Sequence, residues 1–332
     1  ILACIAFANV SGSAAASTAA VGSSLIPPMR EAGYKPGFSA ALVACSGIIG
    51  SIIPPSMIMI VYGSIANVSI EGLFLAGVLP GLLIASLLMV TLRLIAGHPN
   101  FPELQQSRQG FRIAEVWTSF RKIWVILLAP VIVIGGIWGG FFTATEAGIV
   151  ACLYAIGVSV FLYKDFSLAQ LPELLLKAAT TTAMIVGVIS AAGALAYLLT
   201  HLGFDMIVQD FLLQFQNRWI ALIILLAIML VTAMFVESLA VLIILVPVIA
   251  QVGTTFGFDP LYFGMLIVIT TQIGAVTPPV AVGLFVATSI ADAPYSQTIH
   301  YCVPFILSLV LGLILVLLFP SIATFIPNIV HP

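Results

Sequence analysis

Long apolar stretches recur along the whole chain and carry almost no charged side chains. Segments of roughly 20 residues, enough to cross a bilayer as a helix, follow one another from one end to the other. Of the 332 residues, 62% are hydrophobic and only 7% are charged, whereas a soluble domain has about 25% charged residues. So few charges do not cover a water-facing surface. We therefore predict an all-α, polytopic membrane protein in a lipid bilayer.

The charge pattern excludes several other classes of protein. The net charge is −2, and the ten Lys and Arg residues are scattered rather than clustered, so nucleic acid is not an expected partner. The four cysteines are far apart, without the C-x-x-C spacing of metal or redox sites. We expect no cofactor, and no metal or redox site at these cysteines.

The most polar stretch, residues 98–122, includes Arg108, Arg112, Arg121 and Lys122. The positive-inside rule places this loop in the cytoplasm. The chain opens inside an apolar stretch, with neither an initiator Met nor a basic leader region. We expect it to be a fragment that lacks N-terminal helices.

Two parts of the chain repeat the same Gly and Pro landmarks. GYKPGF at 33–38 matches GFDPLY at 257–262, and GSIIPPS at 50–56 matches GAVTPPV at 274–280. The offset is 278 minus 54, or 224, and the pair Pro80 and Pro304 keeps it without a gap. It also pairs Ser13 with Glu237. We predict two related units, and an inverted relation between them is plausible.

Each unit contains a helix break of the form Gly-x-x-x-Pro-Pro. Two consecutive prolines remove two amide donors and disfavour helix at the residue before them, which frees carbonyls at membrane depth. Such carbonyls persist where a cation or water fills the gap. The alternative is that these prolines only kink a helix. Broken segments at matching positions in two halves favour a transporter site near the midplane.

Two acidic residues lie in or beside apolar segments and require an explanation. Glu237 is either a functional group inside a membrane segment or a carboxylate that accepts hydrogen bonds from helix N-terminal amides. Glu146 is expected to begin a helix with Thr143 or Thr145 as its N-cap.

Seven stretches together resemble a known family. They are SGSAAASTAAVGSSLIPPMREAGY, GIIGSIIPPS, LFLAGVLPG, GGFFTATEAG, VPVIAQVG, FDPLYFG and IGAVTPPVAVGLF. Their order and content are similar to the large membrane subunit, of DctM type, of the tripartite ATP-independent periplasmic (TRAP) transporters. The resemblance covers nearly the whole chain.

The resemblance implies an elevator-type transporter with inverted repeats, re-entrant hairpins and broken helices, similar to the ion transporter superfamily. Its activity would be Na⁺-coupled import of a carboxylate, such as a C4-dicarboxylate, sialic acid or another sugar acid, across the bacterial inner membrane. Expected partners are a small membrane subunit of DctQ type and a periplasmic substrate-binding protein. The implied transport-domain repeats are 1–70 and 219–294. Segment 71–218 would be a scaffold or arm, and segment 295–332 a C-terminal helix.

The resemblance also implies two Na⁺ sites, each between a hairpin tip and a helix break. Residues of the first are Ser11, Gly12, Ser13, Gly50, Ile53 and Pro55. Residues of the second are Glu237, Ser238, Thr271, Gly274 and Thr277. The substrate would bind near the same broken helices, where half-helix N-termini favour a carboxylate.

Two other functions stay open at this point. One is a Na⁺-coupled carboxylate carrier or antiporter that works without a binding protein. The other is an intramembrane enzyme, which the sequence disfavours because it contains no H-E-x-x-H, G-x-S-x-G or aspartate-rich motif. We therefore expect no enzymatic activity.

Overall fold

The structure is a computed structural model, and every regular element in its described part is a helix. It describes residues 1–96, 113–203, 206–207, 211, 214–215 and 217–330. Arg108 and Arg112 of the predicted cytoplasmic loop lie outside these ranges. The second half of that loop is helical from Ile113 onward, which sequence polarity did not predict. The all-α prediction is confirmed.

The described helices fall into two compact units, one formed by residues 1–109 and 199–332 and the other by residues 110–198. Helices of the first unit, in chain order, are α1 (Leu2–Ser11), α2 (Ala14–Glu31), α3 (Pro36–Gly47), α4 (Met57–Ala66) and α5 (Ile70–Ile95). The second unit contains α6 (Ile113–Trp138), α7 (Ala144–Gly157) and most of α8 (Leu171–His201). The first unit resumes with α9 (Arg218–Phe235), α10 (Ser238–Thr255), α11 (Pro260–Gly274), α12 (Val282–Ala291), α13 (Tyr295–Leu318) and α14 (Ser321–Val330).

Within the described ranges, six helical segments are long and apolar enough to cross a membrane. They are Ile70–Ile95, Thr145–Tyr163, Leu168–Leu195, Arg218–Phe235, Ser238–Thr255 and Tyr295–Leu318. The remaining apolar helices, including α4, α11 and α12, have 10 to 17 residues, which is short for a full crossing.

In the second unit, α7 begins with a capping box. The Thr143 side chain accepts a hydrogen bond from the Glu146 amide, and the Glu146 carboxylate accepts one from the Thr143 amide at 2.8 Å. This reciprocal arrangement satisfies two amides that a helix start leaves unpaired. The predicted structural role of Glu146 is confirmed, with Thr143 as the cap.

The internal repeat also appears in the positions where the helices begin and end. Adding 224 to the ends of α2, residues 14 and 31, gives 238 and 255, the ends of α10. The same sum takes the first residue of α3, Pro36, to Pro260, the first residue of α11. Both Gly33 and Gly257 have positive φ, 88° and 67°, a conformation that glycine adopts without steric cost.

The predicted gap-free offset is wrong beyond the second Pro-Pro break. There α4 begins at Met57 and α12 at Val282, and both have ten residues, so the offset is 282 minus 57, or 225. One residue, Ser56, separates Pro55 from α4, whereas Val280 and Ala281 separate Pro279 from α12. The extra residue is accommodated because Ala281 turns the chain at a φ of 46°.

The repeats interlock through their second half-helices. Half-helix α4 of the first repeat packs on α10 and α11 of the second, and α12 of the second packs on α2 and α3 of the first. Each repeat therefore completes the packing of the other, and the two tips and two breaks are brought to the same region of this unit.

Candidate functional site

A cleft in the first unit is lined by the start of four helices. Its lining includes the first two residues of α2, of α4, of α10 and of α12. The cavity volume of the cleft is about 70 Å³. Its lining residues are Gly12, Ser13, Ala14, Ala15, Thr18, Ser51, Met57, Ile58, Ala233, Met234, Val236, Glu237, Ser238, Leu239, Gln272, Ala275, Val276, Val280, Ala281, Val282 and Gly283.

Helix starts give this cleft its electrostatic character. The first amides of a helix lack intrahelical acceptors, and the helix dipole places about half a positive charge there. Among the described residues that line the cleft there is no Lys, Arg or His, and Glu237 is the one ionisable residue. An anion in the cleft would therefore be stabilised by main-chain amides rather than by a basic side chain.

Serine side chains cap two helices of the first repeat, α2 and α4. Ser13 accepts a hydrogen bond from the Ala16 amide at 3.5 Å at the start of α2. Ser56 accepts one from the Met59 amide at 3.4 Å at the start of α4, and its hydroxyl donates to the Ser51 carbonyl at 2.6 Å. These bonds hold the tip and the break of the first repeat in a fixed local geometry.

Glu237 is the N-cap of α10. Its carboxylate accepts hydrogen bonds from the amides of Leu239 at 2.9 Å and Ala240 at 3.3 Å, and the side chain is exposed. The structure thus gives Glu237 the capping geometry of the second interpretation, at the position that Ser13 occupies in the first repeat.

The first predicted group of site residues is brought together in part. Gly12, at a φ of 60°, accepts a hydrogen bond from the Met57 amide at 3.1 Å, and a Cβ at Gly12 would lie 2.9 Å from the Pro55 carbonyl. A Cβ at Gly50 would lie 3.5 Å from the Ser13 carbonyl. The hairpin tip therefore lies against the first break.

Of the six residues in that group, Ser13 alone has a side-chain oxygen that the structure describes. The Ile53 side chain packs against Gly81 of α5, so only its main-chain carbonyl is available to a cation. Ser11 ends α1, and its side chain lies outside those that the structure describes.

The second predicted group is also brought together in part. The Ser238 hydroxyl donates a hydrogen bond to the Thr271 carbonyl at 3.1 Å, which joins the second tip to the helix before the second break. Gly274 packs closely on α9, since a Cβ there would lie 2.4 Å from the Ala233 Cβ. The Thr277 hydroxyl donates to the Ile273 carbonyl at 2.6 Å. Of this group, only Glu237 and Ser238 line the cleft.

Hydroxyl groups near the second break keep acceptor capacity. Thr271 donates to carbonyls one turn earlier in its own helix, at 2.9 Å for Val268, and Ser238 and Thr277 also donate their protons to carbonyls. A hydroxyl that donates its proton still has lone pairs. Such oxygens, together with main-chain carbonyls, are suitable ligands for a hard cation.

Among the cleft residues that sequence reasoning missed, two have buried polar atoms without a partner in the described structure. Thr18 and Gln272 are 0% and 1% exposed, and the Thr18 Oγ1 and Gln272 Nε2 atoms have no hydrogen-bond partner in the described structure. Gln272 was recognisable in principle, because it is the one amide side chain in segment 259–275. An unpaired buried polar group of this kind calls for a functional or structural explanation.

Known proteins resemble this chain over nearly its full length. Residues 1–322 match the family model described as the tripartite ATP-independent periplasmic transporter, DctM component. A C4-dicarboxylate TRAP transporter large permease of Pseudomonas aeruginosa is 35% identical over 99% of this chain and 76% of its own length. A 2,3-diketo-L-gulonate TRAP transporter large permease of Escherichia coli is 36% identical over 97% of this chain and 75% of its own length. A sialic acid TRAP transporter large permease of Vibrio cholerae is 33% identical over 99% of this chain and 76% of its own length.

These matches confirm the resemblance that the seven sequence stretches indicated. They also agree with the helices long enough to span a membrane and with the broken helices around the cleft. The relatives are transporter permeases by name rather than enzymes. The chain belongs to the family of DctM components of tripartite ATP-independent periplasmic transporters.

Proposed function

We propose that this protein is the large permease subunit of a Na⁺-coupled transporter that imports a carboxylate across the bacterial inner membrane. The observation that carries the proposal is the convergence of four helix N-termini on one cleft whose described lining has no basic side chain. Such an arrangement binds anions through main-chain amides and helix dipoles. The three relatives are named for C4-dicarboxylates, 2,3-diketo-L-gulonate and sialic acid, all of which are carboxylates at neutral pH.

Na⁺ is the proposed coupling ion, held at the two tip-and-break junctions. Support comes from the oxygen atoms at these junctions, which are carbonyls such as those of Ser13 and Pro55 and hydroxyls such as that of Ser238. No charged ligand is required, because a monovalent cation is compatible with neutral oxygens. Binding the cation beside the cleft would also favour an anion in it, by direct charge attraction.

The proposed partners are a small membrane subunit of DctQ type and a periplasmic substrate-binding protein. The family description, which includes the words tripartite and periplasmic, supports both. In this proposal, segments 1–70 and 219–294 form the moving transport domain, 71–218 the scaffold or arm, and 295–332 the C-terminal helix.

Uptake into proteoliposomes that contain the permease and the small subunit tests this function. We expect labelled succinate, sialic acid or 2,3-diketo-L-gulonate to accumulate when both an inward Na⁺ gradient and the cognate binding protein are present. Accumulation that is indifferent to the binding protein would instead indicate a stand-alone carrier. Accumulation of none of the three would contradict the proposed substrate class.

Ser238 provides a sharper test of Na⁺ coupling. Ser238→Ala removes a hydroxyl oxygen at the second junction, so the Na⁺ concentration for half-maximal uptake should rise severalfold. Thr270→Val is the matched control, since Thr270 is equally buried and its hydroxyl also donates to a carbonyl, that of Leu266, but it does not line the cleft. Equal effects of the two variants would argue against a Na⁺ ligand at Ser238.

A further inference from the structure

Gln272 has a polar group that the function described so far does not use. Its Nε2 atom is one of five buried side-chain nitrogen or oxygen atoms without a partner in the described structure. Of the residues that carry these atoms, only Gln272 and Thr18 line the cleft. An unpaired buried donor is destabilising unless a bound group satisfies it in some state of the protein.

Thr18 is set apart from Gln272 by the direction of its hydroxyl. A Cβ at Gly47 would lie only 2.0 Å from the Thr18 Oγ1 atom, so this hydroxyl is directed toward α3. It fills the space that a glycine leaves at the contact of α2 and α3. Thr18 is therefore interpreted as a packing residue.

Gln272 lies beside the start of α12. The helix α11 ends two residues after it, at Gly274, and Ala275 and Val276 follow directly. A Cβ at Gly283 would lie 3.5 Å from the Val276 Cγ1 atom and 3.8 Å from the Ala275 carbonyl. The chain just after α11 therefore contacts the first turn of α12, and Gln272, Val282 and Gly283 line the same cleft.

The start of α12 has no side-chain cap. Ser56 caps the corresponding helix of the first repeat, and Ser13 and Glu237 cap α2 and α10, whereas Ala281 precedes α12 and makes no capping hydrogen bond. The first amides of a helix have no intrahelical acceptor. In α12 the first two amides are those of Val282 and Gly283, and both residues line the cleft.

We propose that Gln272 and the amides of Val282 and Gly283 form a subsite that binds one carboxylate group of the transported anion. The unpaired Nε2 group of Gln272 and the two main-chain amides are donors, so a ligand that pairs them must supply acceptors, and a carboxylate has two oxygens that accept several hydrogen bonds. A metal cation does not bind N–H donors. The inference rests on the proposed function, and it assigns substrate recognition to α11 and α12 of the second repeat.

Gln272→Leu tests the subsite in the complete transporter. The change removes the amide donors at similar volume, so KM for the transported anion among succinate, sialic acid and 2,3-diketo-L-gulonate should rise about tenfold or more. The Na⁺ concentration for half-maximal uptake should stay the same. The midpoint of thermal unfolding should be unchanged or higher, because an unpaired buried donor is lost.

Ser308→Ala is the matched control. Ser308 also has a buried side-chain oxygen without a partner, but it does not line the cleft. Its removal should leave KM unchanged. A purely structural role for Gln272 predicts instead that Gln272→Leu lowers the unfolding midpoint and leaves KM as it is.

Gly283→Ala is an independent probe from the other side of the subsite. The added methyl group would make only ordinary contacts at 3.5 Å and beyond, so the protein should fold, but the methyl group would crowd the amides of α12 and raise KM. The subsite is wrong if both variants keep the wild-type KM, or if Gln272→Leu changes the Na⁺ requirement rather than KM. Failure of the wild-type transporter to accumulate any of the three anions would refute the proposed function itself.

Discussion

Glu237 and Ser13 occupy equivalent positions in the two repeats and have the same local role. Each accepts hydrogen bonds from the first amides of the helix that follows. An N-cap of this kind contributes about 1 kcal/mol to stability. A carboxylate is charged and a hydroxyl is not, although both can cap a helix. Exchanging one for the other therefore separates the capping role from any role of the charge.

Substitution of Glu237 should reveal a cap rather than an essential charge. Glu237→Ala should destabilise the protein by about 1 kcal/mol, measured as a lower midpoint of thermal unfolding in detergent. Glu237→Ser should restore most of that loss and retain uptake, because serine caps a helix without a charge. Loss of uptake in Glu237→Ser at normal stability would show that the charge itself is needed.

Ala281 is a second residue whose local effect on stability can be measured. Its φ of 46° lies in the left-handed region, which costs a residue with a Cβ about 1 kcal/mol or more. Ala281→Gly should therefore raise the unfolding midpoint. Ala275→Gly is the control, because Ala275 also lines the cleft but has a φ of −62°, where glycine should lower the midpoint.

Glycines determine how closely the helices of each repeat approach their neighbours. A Cβ at Gly47 would lie 2.0 Å from the Thr18 hydroxyl, and a Cβ at Gly274 would lie 3.0 Å from the main-chain carbon of Ala233. The first clash is with a side chain, whereas the second involves both the Ala233 Cβ, at 2.4 Å, and the backbone. The two positions therefore differ in whether a second substitution relieves the strain.

Gly47→Ala should destabilise the packing of α2 on α3 by about 1–3 kcal/mol. The double variant Gly47→Ala/Thr18→Ala should recover part of this, because the clashing hydroxyl is gone. Gly274→Ala should not be relieved by Ala233→Gly to the same extent, since the backbone contact remains. Thermal unfolding of the four variants checks this, and absence of coupling between Gly47 and Thr18 would contradict the contact.

The repeat and the positions of its helix breaks could be predicted from the sequence, but the number of residues between the second break and the next helix could not. Gly and Pro residues determine where helices end, so their spacing placed α2, α3, α10 and α11 well. The extra residue before α12 was not apparent, because Pro80 and Pro304 keep an offset of 224 although α5 and α13 begin 225 apart. Gln272 was missed because its significance depends on the helix that packs beside it.

At the scale of the whole molecule, the two repeats build one cleft from four helix starts. Hydrophobic patterning was sufficient to predict a membrane protein, since so few charges exclude a water-facing surface. It was not sufficient to place the cleft, because the interlocked half-helices α4 and α12 come from opposite ends of the chain. Placing the cleft requires knowledge of the residue contacts between the two repeats.

The most direct test of the central claim compares charged and uncharged competitors of the same shape. For whichever of succinate, sialic acid and 2,3-diketo-L-gulonate the proteoliposomes accumulate, the free acid and its amide are added in excess outside. The helix starts should bind the carboxylate, so the acid should inhibit labelled uptake and the amide should be at least tenfold weaker. Equal inhibition by the amide would show that the cleft does not select for negative charge and would contradict the account.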